Sequence, residues 1–365
     1  MNTPLERVKT AMKEVAARVP GREDMVFALG LAVLAGEHVL LVGPPGVAKT
    51  YAVRLFAQSL NAKWYMYLLT KFTTPDELLG PIDVSALARG GELKRRWTNA
   101  VEADFIFIDE IYKASSATLN ALLSLLQERA VYDPMTGQVV YAKLWTLIGA
   151  SNEVPAEEEL QALHDRFGVK LFITSYLPQE KILDALNARW AQGGAIAPVA
   201  TMEDVRAAHE EVMRMAPHLL KGYYINVVPL MKSLNLSDRT VVEKGVKIYA
   251  AYIALNPEAR AAAPYEILRF FARDREELAE VEKKVKEALG EVAEVVDLLE
   301  KARVYYRAMD LKTAKDLLLQ AIDKAKQINL DRKPWLKPKL ESVIGDISHY
   351  LAKIDEIQRH LTAHE

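Results

Sequence analysis

The stretch Val39-Leu40-Leu41-Val42-Gly43-Pro44-Pro45-Gly46-Val47-Ala48-Lys49-Thr50 decides the fold. Four apolar residues run into a Gly/Pro cluster, which reads as a buried strand ending in a turn. The turn meets Lys-Thr, and a helical pattern follows to about residue 60. Strand, glycine-rich turn, Lys-Thr and helix together make the layout of a phosphate-binding loop. The glycines let backbone N–H groups close around phosphate oxygens, and the helix offers its positive N-terminal end. On this layout Gly43, Pro44, Pro45, Gly46, Val47, Ala48, Lys49, Thr50 and the next residue, Tyr51, form the nucleotide-binding set. Lys49 is spaced to reach the β- and γ-phosphates, and the Thr50 hydroxyl to ligate Mg²⁺. One position departs from the pattern: Ala48 stands where a glycine is usual. Gly-Pro-Pro-Gly is also a common turn signal, so the rest of the chain decides between a nucleotide loop and an ordinary strand–turn–helix.

Working outward, Trp64–Leu69, Phe105–Ile108 and Leu144–Ile148 read as further strands, and residues 117–129 as a helix with Leu119, Leu122, Leu123 and Leu126 on one face. Strands that are apolar throughout and alternate with helices predict a parallel sheet covered on both sides. Residues 1–36 read as two helices. Residues 131–141 read as a hairpin turning near Gly137. From Leu177-Pro178 to Asn256-Pro257 the periodicity is helical without a strand. From Leu278 to Met309 apolar residues recur at coiled-coil spacing, a second helix covers about 312–329, Pro334 and Pro338 break it, and a last helix carries Leu340 to Leu361. These divisions predict an α/β core over 1–177, an all-α lid over 178–262 and a C-terminal helical bundle over 263–365.

Asp109 and Glu110 end the strand Phe105–Ile108. Ligands of open α/β sheets bind beyond the carboxyl ends of the strands, so two carboxylates there bracket a nucleotide held by the loop. Asp109 is the Mg²⁺-holding carboxylate and Glu110 the one that orients and polarises the attacking water. Ser151-Asn152 ends another apolar strand in the same way, and Asn152 is an uncharged donor for the γ-phosphate or the water.

The totals narrow the partners. The chain has 365 residues, half of them hydrophobic, enough for two or three domains with real cores. A net charge of −2 and a pI near 6.4 give no overall footprint for duplex nucleic acid or anionic lipid. The absence of cysteine excludes thiolate metal sites and thiol catalysis and fits a reducing compartment. Residues 1–6 lack the character of a secretory leader, and no apolar run approaches bilayer length. The expectation is a cytoplasmic chain without membrane insertion.

In the order of these elements the chain resembles the AAA+ ATPases, and within them the MoxR branch of RavA-like type. The resemblance is carried by residues 21–50, 74–83 (TPDELLGPID), 105–129, 148–155 (IGASNEVP) and 163–167 (LHDRF). It covers residues 1 to about 260. Loops of the MoxR type carry Ala before the lysine, so Ala48 becomes a family mark. The resemblance implies that Asn152 is sensor 1, that Arg166 is the arginine finger entering the neighbouring subunit's site, and that Arg239 is sensor 2 at the start of a lid helix. Arg129 is a rival finger. A finger acting in trans requires a closing head-to-tail contact, and the family's hexamer is therefore implied. It further implies an ATP- and Mg²⁺-dependent ATPase that remodels or activates a protein client, in some cases one bearing a von Willebrand factor A domain. The insertion 84–97, with Arg89 and Lys94-Arg95-Arg96, and the hairpin at 133–141 then face a pore, where the basic cluster either grips a polymer or is a solvated loop. A nucleic-acid motor on the same core, or a nucleotide-gated scaffold with little turnover, are the alternatives.

Overall fold

The computed structural model describes residues 3–85, 91, 93–133, 136–155, 157–173, 176–177, 179–190, 196–257, 263–329 and 337–362. Arg89, Pro178 and Pro334 lie outside the described residues. The chain forms two compact units. One comprises Met1–Leu255 and Ile267–Glu277, the other Asn256–Glu266 and Leu278–Glu365.

The first unit is built on a five-stranded parallel sheet. Its strands are β1 Val39–Val42, β2 Trp64–Leu68, β3 Phe105–Asp109, β6 Thr146–Ser151 and β7 Val169–Phe172, in the spatial order β2-β3-β6-β1-β7. A separate antiparallel hairpin pairs β4 Ala130–Tyr132 with β5 Val139–Tyr141. Strands β1, β6 and β7 are buried along their whole length, as continuous apolar runs in a doubly covered sheet should be. Strand β7 was not foreseen, because Lys170 interrupts its apolar run. The fourth core strand begins and ends later than expected, at Thr146 and Ser151.

The order places β1 at a switch point. From β1 the chain crosses to the far edge at β2, returns through β3 and β6, and ends on the other side of β1 at β7. Both neighbours pair with β1 in parallel register, Val42 lying opposite Ser151 and Phe172. The segments leaving β1, β3 and β6 therefore meet at one edge, where such sheets bind ligands.

Helices cover the faces. α1 Pro4–Ala16 starts with Thr3 capping Glu6 N–H and proline in its first turn, a standard N-terminal arrangement. α2 Glu23–Ala35 buries ten residues and ends on Gly36 at φ 67°, where a left-handed residue closes the helix. α3 Lys49–Ser59 packs Phe56 on Phe105 of β3, ring centroids 6.1 Å apart. α4 Pro75–Leu79 has a Thr74–Glu77 capping box. α5 Ser116–Glu128 is capped by Ser115, and α6 Glu158–His164 leads into β7. The helices α7 Gln179–Trp190, α8 Met202–Asn226, α9 Val228–Ser233 and α10 Gly245–Leu255 follow. The turn Thr240–Lys244 just before α10 is π-helical. Asp204, at the start of α8, accepts from Arg7 of α1 at 3.0 Å.

The second unit contains α11 Ala263–Glu266, most of α12 Arg275–Leu289, and α13 Glu291–Arg307, α14 Leu311–Gln327 and α15 Lys337–Thr362. The single coiled-coil helix expected from Leu278 to Met309 is broken at Gly290, whose φ of 53° and ψ of −129° no helix accommodates. Pro338 does not precede the last helix but lies in its first turn, where a missing N–H costs nothing. α13 and α14 are joined by Ala308–Asp310 and run antiparallel, with Lys324 paired to Glu294. Arg303–Asp346 at 2.8 Å and Lys315–Asp355 at 2.6 Å tie α15 to them over a core of Leu299, Leu318 and Ile347.

Candidate nucleotide site

Gly43 continues the sheet, its N–H donating to the Ser151 carbonyl at 3.0 Å. A Cβ here would lie 2.7 Å from that of Ile173, so only glycine fits. The loop closes through Gly46, φ 80°, and Ala48, φ 68°, before α3 begins at Lys49. Ala48 thus holds the left-handed conformation that makes glycine usual at this position, and its methyl group carries the strain.

Lys49 is buried, and its ammonium donates to the carbonyls of Gly43 at 2.5 Å and Pro44 at 3.3 Å and to Asn152 Oδ1 at 3.2 Å. Burial lowers its pKa, while the Asp109 and Glu110 carboxylates act in the opposite sense. Asn152 also donates from Nδ2 to Glu110 Oε1 at 2.8 Å, and Lys113 lies 3.5 Å from Glu110 Oε2. One hydrogen-bonded chain therefore joins Lys49, Asn152 and Glu110 across the carboxyl ends of β1, β6 and β3. Glu110 itself is left-handed, φ 54°, with its N–H on Asp109 Oδ1 at 3.0 Å. Thr50 stands in the first turn of α3 and Asp109 at the end of β3. A hydroxyl and a carboxylate beside a phosphate-directed ammonium are the oxygen donors that Mg²⁺ takes, so the residues fit that ion.

Cavities open on both sides of the loop. One of about 400 Å³ is bounded by Val19, Tyr51, Tyr176, Leu177, Ile182 and Arg189 and is largely apolar. The Arg189 and Arg54 guanidinium carbons lie 5.1 and 5.6 Å from the Tyr51 ring centroid. The Tyr51 hydroxyl and Arg54 Nε have no hydrogen-bond partner among the described residues. Arg22 Nε holds the loop at the Val47 carbonyl, 3.2 Å away. The other cavity, about 880 Å³, is mixed in character and bounded by Pro44, Pro45, Asn152, Glu153 and Arg275. Arg275 donates to the Ile173 carbonyl at 3.2 Å. Neither Arg189 nor Arg275 belongs to a sequence motif, and only their tertiary placement brings them to the loop.

Arg166 and Arg239 are not brought to this cluster. Arg166 precedes β7 by three residues, and Val169 pairs with Val39 at the start of β1. It therefore lies at the amino-terminal edge of the sheet, with the loop at the other end of β1, about 10 Å away from strand rise alone. Lys244 donates to the carbonyls of Asp165 at 2.8 Å and Arg166 at 3.0 Å. Arg239 caps the turn Thr240–Lys244, whose lysine holds the Arg166 segment, so both arginines lie toward this edge; burial holds Lys244 down at about 8. The Gln127 amide oxygen, correctly oriented, accepts from Arg166 Nε and Nη2 at 2.6 Å. Arg239 is half exposed and pairs with Glu243 at 3.2 Å. Arg129, the rival finger, is anchored inside its own fold by the carbonyls of Gly36 at 3.1 Å and Trp145 at 3.2 Å.

The basic cluster of the insertion also divides. Arg95 does not offer its charge to a polymer: it is buried, bidentate to Asp133 at 2.9 and 3.0 Å and bonded to Asp76 at 2.5 Å. It ties the insertion to the β4–β5 hairpin, and of the triplet only Lys94 and Arg96 are exposed.

Comparison with known proteins identifies the family. A family model for the MoxR domain of MoxR–vWA–beta-propeller ternary systems matches residues 6–215, more than half of the chain. Two uncharacterised proteins of Methanocaldococcus jannaschii are 34% and 31% identical over 246 and 290 residues. These matches cover 66% and 78% of this chain and 64% and 74% of those proteins, so the chain spans just under two thirds of the first. Chaperone MoxR1 of Mycobacterium tuberculosis is 25% identical over 262 residues, 70% of this chain and 66% of that protein. The crystal structure of a candidate ATPase from Cytophaga hutchinsonii aligns with a TM-score of 0.57 over 78% of this chain and 94% of that one, at 19% identity, a likeness of fold alone. Among the described residues no helix is long and apolar enough to cross a membrane. The chain belongs to the MoxR family of AAA+ ATPases.

Proposed function

We propose that this chain hydrolyses ATP at the phosphate loop, and that each site is completed by arginines of a neighbouring copy in a ring, six subunits being the family expectation. The observation that carries the reading is the Lys49–Asn152–Glu110 chain beside the loop, with Arg166 and Arg239 together at the opposite sheet edge. Gly43 to Ala48 wrap the phosphates with backbone N–H groups, and Lys49 neutralises them. The apolar cavity beside Tyr51 takes the base. Thr50 and Asp109 hold Mg²⁺, which when bound neutralises charge on the phosphate oxygens. A terminal phosphate draws Lys49 and Asn152 to itself, and Glu110, released from Asn152, orients the attacking water. Arg166 and Arg239 lie away from their own loop, which favours a role for both at the neighbour's phosphates. A guanidinium there is worth on the order of 10³–10⁵ in rate.

The domain reading that fits this cycle is a core to about residue 177, a lid to about 262, and a C-terminal bundle, the lid supplying Arg239 and Arg189. The work done is remodelling or activation of a protein client. The family model's ternary systems favour a partner with a von Willebrand factor A domain. A cytoplasmic site of action suits a chain without cysteine. Steady-state phosphate release, measured against Lys49→Ala over a range of protein concentrations, tests the reading. Turnover above that control, rising per subunit with concentration, is expected. Turnover equal to the control at every concentration leaves a nucleotide-binding scaffold instead.

A further inference from the structure

We propose that Tyr112 and His164 are positioning residues that link the catalytic turn of one site to the arginine finger serving the next. The inference rests on the shared-site reading above. Tyr112 lies two residues after Glu110, in the turn Ile111–Lys113, and His164 lies two residues before Arg166, at the end of α6. The Tyr112 hydroxyl is 2.5 Å from His164 Nδ1, and the two rings stack with centroids 6.1 Å apart. The bond crosses from the carboxyl end of β3 to the segment that enters β7, which the topology otherwise separates.

Burial holds the Tyr112 phenol protonated and pushes the His164 ring down to about 3. With Nδ1 as the acceptor the phenol donates, and the ring carries its proton on Nε2. His164 Nε2 is buried and makes no hydrogen bond among the described residues, although the Arg273 backbone lies near enough to favour the charged ring. A leucine would fill this space without leaving a buried polar atom uncompensated. What the imidazole supplies is the acceptor for Tyr112.

The other holds on the finger segment come from elsewhere: Lys244 on the carbonyls of Asp165 and Arg166, and Gln127 on the guanidinium. Among the described residues Tyr112 makes the hydrogen bond that ties it to the turn that carries Glu110. That turn is hinged on the left-handed Glu110 and is restrained by Asn152, the residue a terminal phosphate draws away. Nucleotide at one site thereby shifts Tyr112, His164 and the Arg166 offered to the neighbour.

Mixed assemblies of full-length chains test this. An Arg166→Ala chain keeps its own catalytic residues but donates no finger, and a Glu110→Gln chain donates a finger from a dead site. Hydrolysis in their mixture comes from Arg166→Ala sites served by Glu110→Gln neighbours. Adding Tyr112→Phe to the donor leaves every residue of the working site's own loop and carboxylates intact. The restored kcat falls about tenfold or more, as a misplaced charge requires, while the KM for ATP stays within about twofold because ground-state binding is untouched. His164→Gln in the donor, which keeps an acceptor for Tyr112, retains most of the restored rate, and His164→Leu does not. An undiminished rate with the Tyr112→Phe donor, at equal assembly by sedimentation, overturns the proposal. If Arg166→Ala and Glu110→Gln chains restore nothing even without Tyr112→Phe, the shared site itself is refuted and the link with it.

Discussion

At the scale of the residue, two non-glycine positions of the site sit in the left-handed region, Ala48 at φ 68° and Glu110 at φ 54°. Such strain persists where the surroundings over-determine the backbone, and it gathers at functional turns. Ala48→Gly relieves the methyl clash but frees the unfolded chain, so stability should change by no more than about 1 kcal/mol. Ala48→Val, β-branched at positive φ, should lose about 2 kcal/mol or more in urea denaturation. Equal stabilities for the two would contradict the left-handed assignment. Asn152 accepts from Lys49 and donates to Glu110, so Asn152→Ala removes both restraints. It should lower kcat by about a hundredfold, the scale of one lost transition-state donor, with nucleotide affinity little changed. An unaltered kcat would remove Asn152 from the mechanism. The Lys49, Asp109, Glu110 and Asn152 cluster was legible in the sequence because Asp109, Glu110 and Asn152 stand at the ends of apolar strands and Lys49 closes the loop leaving another, and parallel strands deliver their ends to one edge. The bonds through Asn152 were not legible, since strand order alone sets which ends are adjacent.

At the scale of the element, the parallel sheet was legible from four of its strands, and the miss at β7 has a physical cause. Lys170 sits in the interior at about 8, pushed down by burial and eased by Asp165 and Glu277, tertiary neighbours that no local pattern announces. The seam of the C-terminal bundle was legible at Val281, Val292, Val295, Leu299 and Ala302, which are buried, but not at Met309, which is exposed, and its spacing continues through Gly290, so the break there was hidden. Arg95 reverses an expectation more fully. A basic triplet reads as a solvated or gripping loop, whereas the side chain of Arg95 is 4% exposed and that of its partner Asp133 0%. Arg95→Ala takes the guanidinium away from that buried carboxylate and should cost about 3–5 kcal/mol. Arg95→Met with Asp133→Leu should recover much of the loss. Denaturation midpoints decide it, together with hydrogen exchange over the hairpin residues 130–133 and 136–141. Fast exchange in the single variant and slow exchange in the double are expected, and no difference between them would mean the pair does not hold the hairpin.

At the scale of the whole molecule, the first unit buries two histidines, His38 and His164, both pushed down to about 3 by burial. Below about 6.5 the unfolded chain takes up protons that the folded chain refuses. Stability is therefore lost as pH falls from about 6.5 toward 3, and by pH 5 the pair together costs about 4 kcal/mol. Urea denaturation at pH 7 and pH 5 measures this, and equal stabilities would mean the rings titrate normally. If one active site is made from two chains, complementation between inactive variants reveals it. Arg166→Ala and Glu110→Gln, each inactive alone, should recover hydrolysis when mixed, with a maximum at intermediate ratios. No recovery at any ratio, from chains that assemble and bind ATP, would contradict it.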